Sequence, residues 1–327
     1  MHYWDGLAAV PQDLGPTVVT IGNFDGVHRG HRHVLDQVVA AARSRELTSV
    51  AITFDPHPAV VHRPLERHES ITAFGEKSRL LADTGLDGLV VLHYTLEFAQ
   101  ATPEEFVRSV IVDALHAAVV VVGHDVRFGR HNSGDFATMQ RLGAEYGFEV
   151  IAVEDFGEDR RCSSTWIRDA LRAGDVAEAA QVLGRNHQVH GDVVHGFARG
   201  RELGFPTANL SDEVQGMVPA DGVYAGWLHD ESGRRWPAAV SVGSNPTFEG
   251  VARVVEAHVI DRPQEQVEDF DLYGQQVAVE FVQRLRGMVA FEGIAKLIEQ
   301  MDDDVARTRQ ILLGAESAVS ADPASRG

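Results

Sequence analysis

The sequence has one cysteine, Cys162, in 327 residues. No internal disulfide can form, so the fold must rest on packing and hydrogen bonds, and a reducing cytoplasm is the expected compartment. Lysine is almost as scarce. Of 29 basic side chains only Lys77 and Lys296 are lysines, a bias we read as composition rather than mechanism. Positive charge is short overall, since 48 acidic residues bring the formal net charge to −19. That balance argues against nucleic acid or an anionic membrane as a main partner. It leaves room for nucleotides, which a few arginines and helix ends can hold. No uncharged apolar run approaches the roughly 20 residues of a membrane span. The N-terminus lacks a basic region followed by an apolar run, so no signal peptide is expected. There is no internal repeat, and the absence of GxxxxGK[ST] excludes a P-loop.

What is present fits a soluble two-domain protein. Hydrophobic residues make up 44% of the chain, an ordinary share for a globular protein, and the length allows two cores. In the first half, apolar strands are expected at 18–21, 49–54, 88–93, 118–122 and 149–153, alternating with helical patterns. The pattern predicts a parallel, doubly wound sheet. The helix from residue 103 has Thr102 as N-cap and Glu105 three residues on. Ligands of such sheets lie at the carboxyl ends of the strands, and three loops there carry chemistry. The first, built on Gly22, Phe24, Asp25, Gly26 and Gly30, leads into a helix with His28 and His31 three apart, hence facing the same way. A helix start attracts phosphate, and glycine lets backbone come close. The second is Asp55-Pro56-His57-Pro58, fixed by two prolines. The third is 123–129, with Asp125 and Arg127 between glycines. Farther on, Ser163, Ser164 and Thr165 precede Ile167 and Arg168. One hydroxyl would serve as an N-cap; three with an arginine suit a clamp on phosphate oxygens. Each loop could equally be a plain turn.

Near residue 186 the helical pattern gives way to short alternating stretches at 188–194, 222–228, 238–242, 253–260 and 276–281, then a helix at 294–313. This predicts a small antiparallel β-barrel followed by a helix, and domains at 1–186 and 187–327 with a tail disordered from about 316. Residues 196–209 combine Gly196, Arg199, Arg201, Gly204 and Phe205 in an anion-friendly loop, then Pro206, Thr207 and Asn209. In an extended chain Thr207 and Asn209 share a face, and both offer hard oxygens of the kind Mg²⁺ accepts. Glu256 interrupts an apolar strand after Asn245, Pro246 and Thr247. It is either an outward edge carboxylate or an acceptor for the proton of an attacking hydroxyl.

These motifs carry a resemblance. The hexapeptide from Gly26 to His31 resembles the HxGH signature of nucleotidyltransferases. Residues 22–31, FDPHP at 54–58, SSTxIR at 163–168, RGRxLGFPTAN at 199–209 and SxGxNPTF…E over 241–256 resemble, in order, the motifs of prokaryotic bifunctional riboflavin kinase/FAD synthetases. The resemblance implies a Rossmann-like adenylyltransferase domain handling ATP through Gly22, Phe24, Asp25, Gly26, Gly30, Ser163, Ser164, Thr165 and Ile167. His28, His31 and Arg168 would serve the transfer, supplying positive charge and donors to the phosphates. Flavin would lie near Asp55–Pro58 and Asp125. In the barrel it implies ATP at Gly196, Arg199, Arg201, Gly204, Phe205 and Pro206, and Mg²⁺ at Thr207 and Asn209. Riboflavin would lie near Tyr224, Asn245, Pro246 and Thr247, with Glu256 as base. ATP, riboflavin and FMN are the implied partners, with FMN and FAD as substrate and product; oligomeric state stays open. Val289 and Ala290 depart from the charged residues usual in the family, so flavin affinity or loop closure in the barrel is in question. Two alternatives follow: an adenylyltransferase with an inactive barrel, and a flavin sensor without chemistry.

Overall fold

Runs of valine and isoleucine too continuous for a half-exposed strand become a parallel sheet buried on both faces. The computed structural model describes residues 1–63, 68–157, 160–195, 205–247, 250–261 and 272–320, with backbone alone for 245–247, 250–252 and 315–320. The chain forms two units, Met1–Ser70 with Phe74–Ser164, and Ile71–Ala73 with the chain from Thr165.

The first unit holds strands β1 (His2–Asp5), β2 (Thr17–Ile21), β3 (Thr48–Asp55), β4 (Gly88–His93), β5 (Ala117–Gly123) and β6 (Glu149–Val153). They lie in the order β1-β4-β3-β2-β5-β6, every pairing parallel. Successive residues alternate between two cores. Val18, Ala51, Val119 and Val121 pack with Leu35 and Val38 of α1 (Arg29–Arg45) and with Leu80 and Leu81 of α3 (Phe74–Ala82). Val19, Ile52, Val120 and Val122 pack on the other side with Phe106, Ile111, Met139 and Leu142. The expected strands are all present. The edge strand β1 was not expected: four residues with only Trp4 buried show no readable period. Helix α2 (Pro58–His62) is one turn. Helix α4 (Pro103–Phe106) starts with the expected capping box and continues into a wider-wound stretch, Val107–Ala114; α5 (Phe136–Tyr146) follows. The strand order reverses between β2 and β5. That opens a crevice at their carboxyl ends, bounded by the loops after Ile21 and Gly123.

The second unit is a closed antiparallel barrel, β10-β11-β8-β7-β12-β9, made of β7 (His187–Val194), β8 (Ala208–Leu210), β9 (Gly222–His229), β10 (Arg235–Thr247), β11 (Gly250–Val259) and β12 (Gln276–Arg286). Helices α6 (Ser164–Ala173) and α7 (Val176–Leu183) group with it, so this division falls earlier than the expected boundary at 186. Polar ties explain the difference. The Ala220 N–H donates to the Leu171 carbonyl at 2.9 Å, Arg284 donates to the Ala173 carbonyl at 3.0 Å, and Asn186 donates to Glu280 at 2.7 Å. Helical period alone could not reveal which core these helices serve. The last helix, α8 (Ile294–Ser320), lays Leu312 against Val223, Trp227 and Leu285. Its backbone continues to Ser320, past the point where the sequence suggested disorder.

Arg286 of β12 and Asp304 of α8 form a bidentate pair at 2.7–3.0 Å, with Asp304 only 3% exposed. Removing one member of such a pair strands the other charge. Asp304→Ala is expected to destabilise the barrel unit by about 3–5 kcal/mol in chemical denaturation. A change below about 1 kcal/mol would mean that apolar contacts alone seat α8.

Candidate functional site

The crevice of the first unit opens into a cavity of about 1070 Å³. Its floor is the loop between β2 and α1. Phe24 (φ 48°), Gly26 (φ 86°) and Val27 (φ 40°) all adopt left-handed backbone. Two of these are not glycine, a conformation that costs about 1–3 kcal/mol each and clusters at functional loops. Packing holds it: Phe24, Asp25, Val27 and His28 are all buried. A Cβ on Gly22 would lie 2.9 Å from the Phe24 ring. The Ser164 hydroxyl donates to the Asp25 carbonyl at 2.8 Å, tying the loop to the 162–164 segment.

His28 is the N-cap of α1. Its Nδ1 accepts the His31 backbone N–H at 3.2 Å. Nδ1 is then the acceptor, so the neutral ring carries its proton on Nε2. The two imidazoles stack, centroids 3.6 Å apart and planes 18° apart, and Phe24 meets His31 edge-on at 5.3 Å. A Cβ on Gly30 would approach the His28 ring at 3.2 Å and Cys162 at 3.3 Å, which accounts for the glycine. Burial, then the neighbouring His28, Arg161 and Lys77, hold His31 well below the ordinary 6.5. His31 is therefore neutral at neutral pH, which corrects the expectation that it supplies positive charge; it offers ring nitrogens instead. Its Nδ1 is buried with no hydrogen-bond partner among the described residues, as is Oδ1 of Asn23.

Of the other expected residues, Pro58, Asp125, Ser163 and Ser164 line this cavity. Asp55 and Pro56 are not among its lining residues, and neither is His57, which caps α2 by accepting the Ala59 N–H at 3.1 Å. Ile167 is a fully buried core residue rather than a ligand contact. Thr165 and Arg168 stand on α6, with the second unit. Cys162 is buried, as its apolar reading required.

Three features were missed. Arg161 reaches across one side to Asp125 at 2.6 Å and Asp155 at 3.1 Å. Phe54, Tyr94 and Phe98 form an aromatic wall, centroids 5.6–6.2 Å apart. Lys77 on α3 is 8% exposed and donates to the Thr53 hydroxyl at 3.3 Å and the Asn23 carbonyl at 3.4 Å. Burial lowers its ammonium from 10.5, against the pull of Asp25 and Asp55. The signal for Lys77 was available: it lies three and four residues before Leu80 and Leu81, on the same helix face.

In the barrel, Glu256 of β11 stands directly opposite Asn209 of β8 and Ser241 of β10. Val255, Ala257 and Val259 fill the core, so Glu256 is on the alternate face. Burial raises its carboxyl above the usual 4.5. Asn209 donates from Nδ2 to the carbonyl and hydroxyl of Thr207, both at 3.2 Å. The side chains of Thr207 and Asn209 thus meet, and strand register sets Glu256 across from Asn209. Phe205 is buried against His258, whose Nδ1 donates to the Pro206 carbonyl at 2.9 Å. Tyr224 is a core residue instead of a ligand surface: it is fully buried, packs edge-on against Phe281 and donates its hydroxyl to the Ala220 carbonyl. Gly196, Arg199, Arg201 and Gly204 lie outside the described residues, as do the side chains of Asn245, Pro246 and Thr247, whose backbone pairs with β11.

The comparisons with known proteins match the two halves of the chain separately. The family model for FAD synthetase matches residues 10–166, and that for riboflavin kinase matches residues 183–312. The chain is 34% identical over 305 residues to the bifunctional riboflavin kinase/FMN adenylyltransferase of Escherichia coli (strain K12), covering 93% of this chain and 95% of that one. It is 33% identical to the protein of the same name from Bacillus subtilis (strain 168), covering 90% and 92%. A crystal structure titled as a macrolide-efflux protein from Streptococcus pneumoniae superimposes with a TM-score of 0.83 at 32% identity, covering 94% of this chain and 99% of that one. Among the described residues no helix is long and apolar enough to cross a membrane. With both family models matched in order and a third of the residues identical along nine-tenths of its length, the chain belongs to the bifunctional riboflavin kinase/FMN adenylyltransferase family.

Proposed function

We propose that the first unit transfers the adenylyl group of ATP to FMN, forming FAD and pyrophosphate, and that the second phosphorylates riboflavin with ATP to FMN. The observation that carries this reading is that each unit has its own cluster of side chains suited to phosphate chemistry. The first has a stacked histidine pair at a helix start in the sheet's crevice. The second has a carboxylate opposite an amide–hydroxyl pair on a barrel.

In the first unit the FMN phosphate oxygen attacks the α-phosphorus and the bond to pyrophosphate breaks. A phosphate is already ionised, so no general base is needed. What helps is alignment and donors where negative charge grows. Neutral His31, the start of α1, and the hydroxyls of Ser163 and Ser164 along the same cavity suit that role. The aromatic wall of Phe54, Tyr94 and Phe98 suits a flat flavin ring, with Pro58 and Asp125 nearby along the cavity.

In the barrel the terminal ribityl hydroxyl attacks the γ-phosphorus, ADP leaves, and Glu256 takes the proton. Mg²⁺ fits Thr207 and Asn209. With Nδ2 of Asn209 committed to Thr207, its Oδ1 is the atom on offer beside the threonine hydroxyl, and both are hard oxygens. When bound, the ion supplies charge that screens the phosphates. The single buried cysteine supports a cytoplasmic setting.

Two sets of variants test the reading. His28→Ala or His31→Ala is expected to slow FAD formation from FMN about 10²–10³-fold while FMN formation from riboflavin stays near the parent rate. Unchanged FAD formation would remove the pair from the mechanism. Glu256→Gln is expected to bind riboflavin and Mg-ATP normally in calorimetry, make FMN at least about a hundredfold more slowly, and still convert FMN to FAD. In the parent, kinase activity should rise with pH through a midpoint above 4.5, because the base works deprotonated and burial raises it; a Gln variant at the parent rate would make Glu256 an ordinary strand residue.

A further inference from the structure

Lys77 is a cation in the wrong place for a surface charge and the wrong company for a buried one. It sits under the loop between β2 and α1, and its two hydrogen bonds go to uncharged oxygens, the Thr53 hydroxyl and the Asn23 carbonyl. No carboxylate pairs with it at ion-pair distance among the described residues. In a chain with two lysines, one is kept where it is almost fully buried. Burying an ammonium whose hydrogen bonds go only to neutral oxygens is costly, and the Phe74 ring 5.0 Å away and the charges of Asp25 and Asp55 offset only part of that cost; an apolar residue would fill the same space with less desolvation.

Its contacts suggest what it does. The Thr53 hydroxyl also donates to the Asn23 carbonyl, at 3.2 Å, so two donors converge on one oxygen. In a trans peptide the C=O and the following N–H point opposite ways. Pinning the Asn23 carbonyl toward α3 therefore turns the Phe24 N–H away from it. Phe24 and Asn23 line the cavity with His31. The Phe24 N–H has no hydrogen-bond partner among the described residues. Phe24 is also a bulky residue in left-handed backbone, a conformation that needs an external hold.

We propose that Lys77, with Thr53, is a positioning residue for adenylyl transfer: it clamps the Asn23 carbonyl so that the Phe24 N–H and the His31 ring converge on a phosphoryl oxygen of the nucleotide. This rests on the reading of that cavity as the adenylyltransferase site. Lys77 does not touch the substrate. Its charge strengthens the grip on the carbonyl and adds a fixed positive field beneath a site for a polyanion.

Lys77→Met keeps the length of the stem and removes the ammonium. In the full chain it is expected to lower kcat for FAD formation at least about thirtyfold, less than the about 10²–10³-fold of losing a preorganised donor outright because the donor is only misplaced, while KM for FMN stays within about threefold, as for an interaction made in the transition state. Riboflavin phosphorylation by the same sample should match the parent, and the thermal unfolding temperature should stay level or rise, because a buried charge has been removed. Thr53→Val should lower kcat in the same direction by less. A merely structural lysine would instead lower stability and activity together. Parent-like kcat in Lys77→Met, or loss of folded signal with loss of activity, overturns the proposal. Parallel assays of His31→Ala separate the two levels: if that variant also leaves FAD formation intact, the reading of the cavity fails; if it loses activity while Lys77→Met does not, only the role of Lys77 fails.

Discussion

The bond from the His31 N–H to Nδ1 of His28 organises the first unit. One side chain caps α1, and by accepting at Nδ1 it fixes its own tautomer. The cap draws the second imidazole into a stack at 3.6 Å, and the stack leaves no room for a side chain at Gly30. The preceding loop must reverse tightly to deliver His28 to that point, which is why three of its residues adopt left-handed backbone. The sheet contributes the place: the reversal of strand order between β2 and β5 puts the loop at the mouth of the crevice.

The barrel reaches its own site by a different route. Antiparallel register, rather than a helix end, sets Glu256 across from Asn209. The period-2 alternation that buries Val255 and Ala257 turns the glutamate to the other face, where burial raises its carboxyl and suits it to accept a proton. A one-residue slip of β11 would move Glu256 into the core and Val255 into its place, so register decides which residue faces Asn209.

Much of this was legible in the sequence because it rests on local rules. Continuous valine runs marked the parallel strands, Thr102 with Glu105 marked a capped helix, and Thr207 with Asn209 marked one face of an extended chain. What was not legible depends on long-range packing. Lys77 is defined by Asn23 and Thr53, residues 54 and 24 positions away. The neutrality of His31 follows from burial that spacing cannot report. Tyr224 looked like a ligand residue and is a core residue, because only the closed barrel decides which way its ring turns. The place of α6 and α7 depends on hydrogen bonds to the barrel rather than on their own period.

The central claim is that one chain carries two phosphate-transfer sites that act in succession on one flavin. The most direct measurement is a time course of the purified protein with riboflavin and Mg-ATP, its products separated by chromatography. The account predicts that FMN forms first and FAD follows, with ADP and pyrophosphate as the co-products. Riboflavin left unchanged while supplied FMN becomes FAD would contradict the kinase assignment, and riboflavin and FMN both left unchanged by folded protein would contradict the whole.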